Sequence, residues 1–171
     1  MNSRTRALSF TALSVAGAVV MLYMGTLFTP MALTFAALAA IFVAVSVIEG
    51  GLKYGLFCFV ATAILGLVLV ALQPVVILYL TFLGAYPIIK SIAERQKLQI
   101  VGWIIKYAAF FLALTLYLTI LEALLLGAVP FMDEAWPLIY LGGAVVFFIY
   151  DVGMSKLIGF YLARIYKYRN S

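Results

Sequence analysis

Long stretches of this chain contain no ionisable side chain, and that decides the solvent in which it can fold. No Asp, Glu, Lys or Arg occurs between Ala7 and Ile48, nor between Tyr54 and Ile89. Only 10% of the residues are charged and 67% are hydrophobic, whereas a soluble domain is nearer one quarter charged. A chain of 171 residues cannot hide that much apolar surface from water, because small domains bury too small a fraction of their surface. Lipid is the solvent that tolerates this composition.

A membrane span needs about 20 mostly apolar residues. The sequence predicts an all-α polytopic bundle of six spans, at about 7–25, 31–48, 54–72, 75–93, 101–129 and 136–163, forming a single transmembrane domain. Thr26 to Pro30, Glu49 to Lys53, Gln73-Pro74, Glu94 to Gln99 and Pro130 to Ala135 make the breaks. Gln73 ends the third span because proline disfavours helix in the residue before it. Arg4 and Arg6 ahead of an apolar run have the look of a signal peptide. The run is long enough to span, however, and an equally apolar segment follows it, so a retained first helix is expected.

The basic residues set the direction of the spans, since cytoplasmic loops carry an excess of Lys and Arg. With the N-terminus inside, all 11 Lys and Arg residues fall in or beside cytoplasmic segments. The three outer turns have none, and the last carries Asp133 and Glu134. Both termini are therefore expected in the cytoplasm of a bacterial cell, with the protein in the plasma (inner) membrane. The net charge of +5 then needs no nucleic-acid partner. Trp103, Tyr161, Tyr166 and Tyr168 suit an inner interfacial belt, and Trp136 and Tyr140 an outer one.

Small residues recur every four positions in three spans: Ala12 and Ala16; Ala32, Ala36, Ala40 and Ala44; Ser155, Gly159 and Ala163. Such faces let helix backbones approach closely in lipid. Internal packing is the expectation for the second and sixth spans. For the first, internal packing and docking to another membrane protein both stand.

Ionisable residues inside spans are costly and point to function or to buried pairing. Asp151 shares a face with Ser155 and Gly159, so it is expected to point inward, with Lys106 and Lys156 as candidate partners in a structural ion pair. Glu122 lies about 9–11 Å deep from the outer side by helical rise, where no basic residue is available. It must be protonated, hydrated, or bound to a cationic group from elsewhere. Glu122, Tyr117, Thr119 and Tyr140 are the candidate lining of an outward-facing substrate site. Lys90 and Lys106 are expected to snorkel to the inner surface. Gly84 and Pro87 predict a kink in the fourth span, a feature that lines binding sites in some transporters.

Soluble-enzyme signatures are missing. There is no phosphate loop, no histidine and a single cysteine, Cys58. The sequence thus points to a non-enzyme with no catalytic residue, no cofactor and no metal site.

Six short helices, both termini inside, a basic C-terminal tail, Ala12-Leu13-Ser14-Val15-Ala16 on the first span and Gly50-Gly51-Leu52-Lys53-Tyr54-Gly55 at the entry to the third together resemble the substrate-binding S components of energy-coupling factor transporters. The resemblance runs over the whole chain and rests on hydropathy and small-residue placement. It implies capture of a vitamin-like small molecule. It also implies that Ala12 and Ala16 dock to a membrane coupling subunit that works with cytoplasmic ATPases. The chain departs from the family in its first connection, only Thr26 to Pro30, where family members have a longer loop that closes over the vitamin. Two alternatives remain: a scaffold of envelope assembly, similar to the cell-shape family MreD, and a small oligomeric carrier with Glu122 and Asp151 on its ion path.

Reporter fusions test the six-span topology. Fusions after Pro30, Gln73 and Met132 are expected to read outside, and those after Lys53, Lys97 and Tyr168 inside. An inside reading at Met132 contradicts six spans.

Overall fold

The computed structural model describes residues 3–70, 73–124 and 132–163. Among these residues every regular element is helical, and six helices are long and apolar enough to cross a membrane. This is an all-α polytopic membrane bundle. The chain forms two compact units, Met1–Gly127 and Ala128–Ser171.

In the first unit, α1 (Ser3–Leu27) has 25 residues, about 38 Å at 1.5 Å per residue, enough to cross ~30 Å of hydrocarbon. A 3-10 turn, Thr29–Met31, reverses the chain into α2 (Ala32–Gly50). Pro30 suits the first turn of that element, where its missing N–H has no helical partner to lose. Phe28 and Phe35 stack across the turn at 6.0 Å.

Only Gly51 separates α2 from α3 (Leu52–Leu69). Its φ of +88° is a conformation that costs other residues but not glycine. Its N–H still bonds to the Val47 carbonyl at 2.9 Å, and its own carbonyl accepts from Gly55 N–H at 3.1 Å. The chain turns sharply with both backbone groups satisfied, as a bilayer demands. The third span ends at Leu69; the expected end near residue 72 lies outside the described residues.

The fourth span, Pro74–Ala93, is broken. It consists of α4 (Pro74–Leu78), a π-helical turn (Tyr79–Leu83) and α5 (Tyr86–Ala93). The N–H of Gly84 reaches back five residues to the Tyr79 carbonyl at 2.9 Å. The irregularity predicted at Pro87 therefore begins a full two turns earlier, and Pro87 itself sits in the first turn of α5. This span is also the most enclosed of the first unit: 56% of it is buried, against 22–33% for the others. Broken helix is tolerated at membrane depth where protein covers it.

At the centre lies α2, packed on α1, α3, α4, the π-helical turn and α5. Ala36, Ala39, Ala40 and Ala44 are buried along it, so the small-residue spacing of the second span does serve close helix packing. Large apolar side chains such as Leu13, Phe57, Val68 and Leu112 face outward, the reverse of a soluble core and the mark of a lipid-facing surface. The last helix of this unit, α6 (Gln99–Leu124), packs on the fourth span. Phe110 meets Phe82 edge-on at 5.5 Å. The expected continuation of this span to residue 129 lies outside the described residues.

The second unit contains α7 (Met132–Tyr161), with Pro137 inside it. It starts earlier than the expected 136. Ser155, Gly159 and Ala163 are exposed, on a face for which the spacing alone predicts packing. The basic tail beyond residue 163 lies outside the described residues.

Gly84 tests the packing of the break. A Cβ there would sit 2.6 Å from Tyr79 Cζ and 2.8 Å from Phe59 Cδ2. Overpacking of this kind costs typically about 1–3 kcal/mol. Gly84→Ala is expected to lower the melting midpoint in detergent, and an unchanged midpoint would show that the ring has room to move.

Candidate functional site

The outward-site residues fall on different faces. Successive residues of an α-helix turn by about 100°, so Thr119 and Glu122 share one side of α6 while Tyr117 stands roughly opposite Thr119. Thr119 and Glu122 are exposed and Tyr117 is half-buried. The Thr119 hydroxyl donates to the Thr115 carbonyl at 2.8 Å, and that of Thr115 to the Phe111 carbonyl at 2.8 Å. Both hydroxyls are satisfied by their own helix. Tyr140 lies on α7, in the second unit. Within the first unit, then, the structure brings Thr119 and Glu122 together and leaves Tyr117 apart from them.

Asp151 and Lys156 also belong to α7. Asp151 is buried, and its backbone carbonyl accepts the Ser155 hydroxyl at 2.8 Å. Lys106 is held by a residue the sequence reading did not single out. Glu94 Oε1 lies 2.7 Å from Lys90 Nζ and 3.2 Å from Lys106 Nζ. Lys106 Nζ also lies 5.0 Å from the centre of the Trp103 ring, within cation–π range. The expected snorkelling of both lysines is thereby corrected: Lys90 is 1% exposed and Lys106 6%. Both ammonium groups pair with a half-exposed carboxylate at the end of α5. The signal is present as Lys90 and Glu94 at i,i+4 spacing, although Glu94 opens a polar run that reads as loop.

On α1, the residues Ala7, Thr11, Ser14, Ala18, Leu22 and Gly25 are buried. They repeat at three- and four-residue intervals and form the face turned to the bundle. Ala12 and Ala16 lie on a neighbouring face and are exposed. Beside them, α1 and α3 enclose a groove of about 550 Å³, lined by Leu8, Ala12 and Val15 from α1 and by Lys53, Tyr54 and Phe57 from α3. The groove is apolar along most of its length, with the exposed Lys53 at the end nearest the Gly51 turn. Such a surface accepts an apolar helix or an acyl chain.

A further polar group was not anticipated. Ser46 on α2, Cys58 and Thr62 on α3 and Tyr79 in the π-helical turn are all fully enclosed. A hydroxyl within a hydrophobic span was the available signal, but four residues from three elements meet only once the helices are packed. Among the described residues no group of His, Cys, Asp and Glu side chains is arranged to hold a metal ion.

No protein-family model matches the chain, and no curated protein or solved structure matches it either.

Removing the shared carboxylate tests the Lys90–Glu94–Lys106 arrangement. Glu94 is half exposed, so Glu94→Gln is expected to cost no more than about 1.5–3 kcal/mol, the range for a hydrogen bond to a charged group. A lower thermal midpoint in detergent would register it. No change would mean that water and lipid headgroups replace the carboxylate.

Proposed function

We propose that this chain is a membrane-embedded subunit that docks to a second integral membrane protein through the Ala12/Ala16 face of α1. One observation carries the reading. The equivalent small-residue face of α2 is consumed by packing, with Ala36, Ala40 and Ala44 buried, whereas Ala12 and Ala16 remain exposed beside a groove. Small residues favour close backbone approach, and an uncovered face of this kind suits a partner helix.

The finer reading follows the resemblance to energy-coupling factor S components. The partner is then a coupling subunit attached to cytoplasmic ATPases, which fits a chain without a phosphate loop of its own. The chain captures a small molecule on the outer side of a bacterial plasma membrane, with both termini cytoplasmic. Glu122 and Thr119 are the residues on which capture rests, because they share one side of α6. No observation favours the scaffold or carrier alternatives over this one.

Ala12→Trp and Ala16→Leu test docking. Bulk at a close crossing forces the backbones apart, so each is expected to abolish co-purification of the partner while leaving a monodisperse, folded protein. Co-purified cell-wall enzymes would favour the scaffold, and neither ATPases nor enzymes the carrier. Retained association in both variants would show that the groove serves lipid alone.

A further inference from the structure

Several hydroxyls within these helices are satisfied locally. Those of Ser9, Thr11, Thr81, Thr115, Thr119 and Ser155 each donate to the carbonyl four residues earlier, at 2.8–3.0 Å. Ser46 and Thr62 do not: Ser46 Oγ, Thr62 Oγ1 and Tyr79 Oη have no hydrogen-bond partner, although all three residues are 0% exposed. Nor are they scattered. Thr62 lies within interaction range of both Cys58 and Tyr79, and Ser46 of Cys58, although none of the three hydroxyls meets hydrogen-bond geometry with a neighbour.

Buried polar groups in folded proteins are nearly always paired. Polar groups that converge without touching are where a bridging water belongs, and a buried water characteristically makes two to four hydrogen bonds. The chemistry of the set narrows the ligand further. Three hydroxyls and a thiol carry no charge, so they suit a neutral molecule that both donates and accepts. The place fits as well. Tyr79 opens the π-helical turn, and helices break where a water enters the ladder of backbone bonds. We propose that Ser46, Thr62 and Tyr79, with Cys58 beside them, form an internal water site that ties α2 and α3 to the break in the fourth span.

Near-isosteric variants decide this by the sign of their effect. Thr62→Val and Tyr79→Phe each remove one hydroxyl with little change of shape. If the hydroxyls hold a shared water, each variant lowers the melting midpoint in detergent, and the double variant lowers it by less than the sum of the two. If they are dry and orphaned, removing them relieves a desolvation cost and the midpoint rises or stays. A rise, no change, or strict additivity overturns the proposal.

A second measurement uses the unaltered protein and does not depend on variants folding. Its single cysteine gives a single S–H vibration in the infrared. A water at the site predicts a band typical of a hydrogen-bonded thiol that exchanges in D2O with the protein folded. A sharp, non-exchanging band overturns the proposal. Replacing sodium by choline must leave the midpoint unchanged; a sodium-dependent rise would assign the site to a monovalent cation instead.

Discussion

Hydrocarbon offers no hydrogen bonds, and the rest of this structure follows from that constraint. Each backbone N–H and C=O must be satisfied within the protein, so the described residues form helices, and Thr29–Met31 and Gly51 turn the chain in a few residues. Gly51 reverses the chain between α2 and α3 while both its backbone groups remain bonded. Pro74 and Pro87 occupy first turns, where an absent N–H loses nothing. Among the described residues, the span with irregular backbone in its middle is the one most covered by protein. Where the ladder is broken, packing replaces lipid.

The same solvent removes the hydrophobic drive between helices, so close contact has to come from shape. Alanines along α2 let several elements approach it, and the bulky side chains turn to lipid. On α1 small residues occupy two faces, one of them against the bundle and the other open. A chain that needed only to pack on itself would have no use for small residues on the open face, where large apolar side chains contact lipid better. That asymmetry is the physical basis of the docking proposal. Charge obeys the same rule: the enclosed Lys90 and Lys106 both pair with the Glu94 carboxylate.

Hydropathy and basic-residue placement made the helical class and the number of spans legible, since both are read from runs of single residues. The packing stripe of α2 was legible from its four-residue spacing. Hydropathy does not report which residues meet. Glu94 read as loop because it opens a polar stretch, although its i,i+4 relation to Lys90 marked it as a partner. The π-helical turn left no trace beyond Gly84 and Pro87, and the contacts around it, Tyr79 against Phe59 and beside Gly84, exist only once the helices are packed. Ser46, Thr62 and Tyr79 are far apart in sequence and become neighbours only through packing. The division of Tyr117 from Thr119 and Glu122 follows from helical periodicity alone.

Crosslinking in native membranes tests the central claim, that the open face of α1 belongs to another protein, most directly. In a Cys58→Ala background, Ala12→Cys and Ala40→Cys place a reactive thiol on the open face and in the packed interior respectively. The account predicts that Ala12→Cys, and not Ala40→Cys, gives an adduct with a different integral membrane protein that itself co-purifies with ATPases. Adducts with a second copy of this chain alone, or none from Ala12→Cys, would contradict it.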